Sequence, residues 1–171
     1  ALATLEEAAR EPEEKSSQQV YLNFVVRCYA EFKDAEAVQR CLRRLDKDDR
    51  DDILDVDMLF SLGMKRQAIA RAKKDIAEAL EELATMDNPN IHFPADAISR
   101  SVQFLFRQGE KNSARRWLRR SLNEMPTWPA FEFGWTTSAV YNSFARAMAV
   151  VDGPEAAEQM LDQAIADGHQ E

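Results

Sequence analysis

From Ser16 to near the end of the chain, apolar residues recur at helical spacing, and no stretch alternates convincingly with period two. A chain patterned this way buries its apolar surface by packing helices on helices, so the expected class is all-α. Glycine and proline, which would interrupt such elements, number only 5 and 6 among 171 residues. Apolar residues make up 45% of the chain, enough to build a core and too many for a disordered one.

Punctuation residues divide the pattern into eight helices. Ser16 and Gln19 form a capping-box pair at the start of the first. That helix carries Tyr21, Phe24, Val25 and Cys28 on one face and Leu22, Val26 and Tyr29 on another, so cover on two sides is expected. Asp34 caps a second helix with Val38, Cys41, Leu42 and Leu45. A third, with Ile53, Val56, Leu59 and Phe60, stops near Gly63, and a long fourth runs over 65–83. After the break at Asp87-Asn88-Pro89-Asn90, Pro94 sits in the first turn of a fifth helix with Ile98, Val102 and Leu105, which stops at Gly109. Ala114, Trp117, Leu118 and Leu122 mark the sixth, and Tyr141, Phe144, Ala145 and Met148 the seventh. Asp152-Gly153-Pro154 opens the eighth, with Ala157, Met160, Leu161, Ala164 and Ile165. The acidic residues 1–15 read as a tail or frayed helix, 16–167 as a single helical-repeat domain, and 168–171 as a tail.

The helix pairs align on an alanine early in each second helix: Ala37, Ala68, Ala114 and Ala157. Twelve positions earlier stand the small or β-branched Val25, Val56, Val102 and Ala145, and nine earlier the apolar Cys28, Leu59, Leu105 and Met148. Four positions later come Cys41, Ala72, Leu118 and Leu161. Small residues at two of these columns allow close helix approach, and a pair this short must stack on a neighbour to bury its apolar face.

The columns resemble the tetratricopeptide repeat. The last unit matches through Tyr141, Phe144, Ala145, Met148, Ala157, Leu161 and Ala164, and the third through Ile98, Val102, Leu105, Ala114, Leu118 and Pro126. The resemblance implies about four stacked antiparallel helix pairs in a short right-handed solenoid. It also implies an adaptor or scaffold that holds a protein or peptide partner, alone or within a larger assembly. In that family the first helix of each pair lines the concave face. By register this face would hold Leu22, Val26 and Tyr29, then Ile53, Asp57 and Phe60, then Ser99, Gln103 and Phe106, and last Asn142 and Arg146. Tyr29, Phe60 and Phe106 fall in one column, a row of aromatics. Asn142 and Arg146, one turn apart, are placed to fix a peptide carboxylate or backbone. Leu22 and Val26 stand where the family's carboxylate clamp needs polar groups, so an apolar peptide or amphipathic helix is the expected occupant.

Two other clusters lie outside that face. Lys111, Arg115, Arg116, Arg119 and Arg120 fill one half of the sixth helix, the footprint of an acidic partner or of an alternative partner, RNA, although a net charge of −8 opposes a general nucleic-acid binder. Trp128, Phe131, Phe133 and Trp135 crowd a loop with Pro126 and Pro129, as a core plug or a contact surface.

Catalytic and metal chemistry find no support. The run Asp46-Lys47-Asp48-Asp49-Arg50-Asp51-Asp52 lacks the oxygen and the glycine that a calcium loop needs at its fifth and sixth positions. His92 and His169 stand in no ligand spacing, and no nucleophile elbow or phosphate-cradling glycine loop occurs. No catalytic, metal or cofactor residue is assigned, and an enzyme is not expected. Cys28 and Cys41 build no disulfide framework and read as reduced thiols facing each other across the first pair, which favours a reducing compartment. No apolar run is long enough to span a membrane.

Overall fold

The apolar periodicity resolves into eight α-helices in the computed structural model, with no strand among the described residues, which are 15–44, 54–85, 92–128 and 137–166. They are α1 (Lys15–Glu31), α2 (Ala35–Leu42), α3 (Val56–Ser61), α4 (Lys65–Thr85), α5 (His92–Arg107), α6 (Lys111–Glu124), α7 (Thr137–Val151) and α8 (Pro154–Ala166). A 3₁₀ turn, Met125–Thr127, follows α6. The all-helical class and the eight helices are those the sequence pattern specifies. The aspartate run at 46–52, with Phe131, Phe133, Trp135 and His169, lies outside the described residues.

The chain divides into two compact units, Ala1–Arg71 and Ala72–Glu171, and the division falls within α4. In unit 1 the core is built from Leu22, Val25, Val26 and Ala30 of α1, Val38, Cys41 and Leu42 of α2, and Met58 of α3, with Tyr29, Leu54 and Leu62 packed against it. Asp34 caps α2 as its sequence position specifies, accepting from the Ala37 N–H at 2.9 Å. Asp55 does the same for α3, accepting from the Met58 N–H at 2.7 Å.

This core corrects two expectations. Leu22 and Val26 are fully buried in it, so they line no open face. Cys41 is part of the cluster, and Cys28 is half-buried on α1. The covered side of α1 is the Leu22–Val25–Val26 side. Its other apolar side leaves Val20 and Phe24 exposed, and no second cover lies over them among the described residues.

In unit 2, α5 packs against both α6 and α7, α7 against α8, and α6 also touches α7. The alignment column of small residues is buried throughout: Ala114 and Ala157 here, Ala37 and Ala68 in unit 1. Across α5 and α7 the buried Ser99 hydroxyl donates to the Ser143 carbonyl at 2.5 Å. A small residue at each point lets the backbones come close enough for that bond, which satisfies a hydroxyl otherwise costly to bury.

Three of the helix-to-helix turns are built alike. The first residue with positive φ donates its N–H three residues back, and the next donates five back, as in the Schellman motif. In the α1–α2 turn these are Lys33 to Ala30 and Asp34 to Tyr29; in α3–α4, Gly63 to Phe60 and Met64 to Leu59; in α5–α6, Gly109 to Phe106 and Glu110 to Leu105. The α7–α8 turn also has a positive-φ glycine, Gly153, but that residue itself donates five back to Met148. The next residue there is Pro154, which has no N–H to give.

Gly109 sits at φ +90 with nothing within 4 Å of the place a Cβ would occupy, so its role is backbone conformation alone. Gly109→Ala is therefore expected to lower unit 2 stability by about 1–2 kcal/mol, measured by chemical denaturation. A change under about 0.3 kcal/mol would show that the turn relaxes to negative φ at no cost.

Candidate functional site

Three residues that the sequence assigns to a binding face, Gln103, Asn142 and Arg146, come together on α5 and α7. The Ser99–Ser143 tie organises them. Gln103 Nε2 donates to Ser99 Oγ at 3.3 Å, and its own Oε1 accepts from Arg107 at 3.3 Å. On the facing helix Arg146 donates to Ser143 Oγ at 3.4 Å and, through Nε, to the Asn142 carbonyl at 3.3 Å. The same guanidinium reaches Asp96 Oδ1 at 3.3 Å, and Asp96 Oδ2 meets Arg100 Nε at 3.1 Å.

A chain of hydrogen bonds therefore runs from Arg107 through Gln103, Ser99, Ser143 and Arg146 to Asp96 and Arg100. Each exposed ion pair contributes little to stability, about 0–1 kcal/mol. Together the bonds seat Arg146 and Arg100 on the one Asp96 carboxylate and hold Arg107 against Gln103 farther along α5. Asn142 is exposed, and its side-chain amide makes no hydrogen bond among the described residues. The face thus offers an unengaged amide, which both donates and accepts, beside a surplus of positive charge.

The other expected members of this face are described within their own units. Ser99 is buried in the α5–α7 packing. Phe106 is half-buried under two cations, with Lys111 Nζ 5.6 Å and the Arg115 guanidinium 6.0 Å from its ring centroid. Its ring is covered by the start of α6. Tyr29 packs half-buried against the unit 1 core, while Phe60 is 43% exposed. Asp57 lines a hollow of about 380 Å³ in unit 1 with Arg27, Glu31 and Asp55, a surface of mixed charge.

Trp128 is 2% exposed and stacks on Phe144, with ring centroids 6.1 Å apart and planes at 41°. A residue covered this far is a core plug, which corrects its candidacy as a contact residue.

The basic cluster on α6 is a real surface feature. Asn112, Arg115, Arg116, Arg119, Arg120, Asn123 and Glu124 line an open furrow of about 590 Å³ along one side of the helix. The opposite side packs into the unit through Ala114, Leu118 and Ser121. Two of the arginines are held at both ends. Arg115 covers Phe106 and bonds Asp152 at 3.2 Å, while Arg120 lies 5.5 Å over the Trp117 ring and bonds Glu124 at 2.7 Å. Arg116 and Arg119 are exposed and have no ion pair or hydrogen bond among the described residues.

Sequence reasoning did not single out Asp96 and Arg100, which orient Arg146, or Ser143, which joins the two helices. Asp96 and Arg100 at i, i+4 on α5 were a readable signal. The Ser143 carbonyl carried none. No group of three His, Cys, Asp or Glu residues among those described is arranged to hold a metal, and no described helix is long and apolar enough to cross a membrane. No protein-family model, curated protein or solved structure matches the chain.

Proposed function

We propose that the chain is a protein-interaction module in which stacked helix pairs of the tetratricopeptide kind hold an extended segment of a partner protein across α5 and α7. The observation that carries this reading is the convergence of Gln103, Asn142 and Arg146 around the Ser99–Ser143 bond. The like-built turns after α1, α3 and α5 and the buried alanine column support the repeat interpretation. The amide of Asn142 suits a peptide backbone, and Arg100, Arg107 and Arg146 outweigh Asp96, so the segment carries carboxylates. This replaces the apolar occupant expected from Leu22 and Val26, since both are core residues.

The test is capture of partners on the immobilised protein, compared with an Asn142→Ala/Arg146→Ala variant. Both side chains are exposed, so helical circular dichroism should not change. A lost hydrogen bond to a charged group is worth about 1.5–3 kcal/mol, so affinity for a captured partner should fall about tenfold or more. A partner held equally well by the folded variant rules this face out as its binding site.

A further inference from the structure

The arginine row of α6 is not used by the α5–α7 face, and we infer that it is a second docking surface, for an acidic helix of a partner protein. Its members follow the helical repeat: Asn112, Arg115, Arg116, Arg119, Arg120 and Asn123, over about 16 Å at 1.5 Å rise per residue. Within the row the four arginines differ in role. Arg115 and Arg120 are pinned by aromatic rings and by Asp152 and Glu124, which fixes the walls of the furrow. Arg116 and Arg119, three residues apart and so neighbours on the surface, present two guanidinium forks whose charge nothing described neutralises. A guanidinium fork matches a carboxylate in bidentate geometry.

Charge complementarity selects the partner. The row is a positive strip on a chain of net charge −8. A polynucleotide carries a phosphate at every residue and would extend its charge past the strip along a chain of net negative charge. An amphipathic helix with Glu at i, i+3, i+4 and i+7 confines its carboxylates to one stripe at the same repeat as the arginines. It meets the furrow without carrying charge beyond it. The row also lacks an open aromatic platform for bases, because Arg120 covers Trp117.

The probe is a labelled helical peptide of that Glu pattern, titrated at low ionic strength into the full chain, with a Gln-for-Glu peptide and a single-stranded RNA oligonucleotide alongside. Binding of the Glu peptide is expected, weakened by added salt, absent for the Gln peptide and reduced at least tenfold by Arg116→Glu/Arg119→Glu. Circular dichroism of that variant should match the parent, since both residues are exposed; Arg116→Gln/Arg119→Gln provides a milder second variant. The Asn142→Ala/Arg146→Ala variant should bind the Glu peptide as the parent does, which separates this surface from the α5–α7 face. No binding of the Glu peptide, or binding untouched by both Arg116/Arg119 variants, overturns the proposal. So does RNA bound more tightly than the peptide and lost in those variants, which would assign the row to nucleic acid.

Discussion

Replacing Trp128 with alanine is expected to destabilise unit 2 by about 3–5 kcal/mol. The side chain is the largest of the fully buried ones among the described residues, and it reaches the core because the 3₁₀ turn Met125–Thr127 redirects the chain at the end of α6. The turn is closed by the Trp128 N–H donating to the Met125 carbonyl at 3.2 Å, and Met125 is itself buried. The tilted stack on Phe144 contributes about 0.5–1.5 kcal/mol of the loss beyond buried area. For a domain of this size each kcal/mol moves the melting temperature by about 4–8 °C, so a drop of at least about 12 °C should appear in thermal denaturation. Such a loss is a large share of the roughly 5–15 kcal/mol that holds a natural domain folded. Trp128→Phe should recover part of it. A melting temperature within about 3 °C of the parent for Trp128→Ala would place the indole at a contact surface instead.

The case of Trp128 shows what composition and spacing leave undecided. A cluster of aromatics in a proline-rich loop signals burial or contact, and both readings follow from the same apolar surface. Which one holds depends on whether another element supplies a cavity, here the Phe144 side of α7. Helix existence, by contrast, is a local property. The 3.6-residue period, Asp34, Pro94 and the glycines at 63, 109 and 153 mark the helix ends near where they occur. The α1–α2 turn escaped the glycine signal because Lys33 takes φ +57, a left-handed conformation that an L-residue adopts at some cost.

The proposed binding face was legible to the extent that register was. Counting from the buried alanine column places Asn142, Arg146 and Gln103 on the first helices of their pairs, facing away from the second helices. That count cannot see tertiary cover. Phe106 satisfies the same register, yet residues five and nine positions later on α6 fold back over its ring. Ser99 lies at the α5–α7 packing because both helices are narrow there, a property of two distant segments together. The α6 arginines were legible as a row. The division between pinned Arg115 and Arg120 and unpaired Arg116 and Arg119 depends on Asp152, Phe106, Trp117 and Glu124, two of which belong to other elements.

The apolar sides of α1 give the sharpest test of how such a helix is read. Leu22 and Phe24 both belong to apolar faces by spacing, and the register places Leu22 on an open groove. In the fold the assignment reverses: Leu22 is fully buried beside Val25, Val26, Val38 and Cys41, while Phe24 is 56% exposed. Leu22→Ala removes buried methyl groups and leaves a cavity, so unit 1 should lose about 2–5 kcal/mol. Phe24→Ala, on the uncovered side, should change stability by no more than about 0.5 kcal/mol. Urea denaturation of the two variants, followed by circular dichroism, reads the difference directly as a shift in midpoint at unchanged slope. Equal and small shifts would mean that Leu22 lines a surface, as the register alone suggests. A large loss from Phe24→Ala would mean that its side of α1 is covered in solution. The fold requires the asymmetry, because a helix apolar on two sides is held by whichever side its neighbours close, and here α2 and α3 close the Leu22 side.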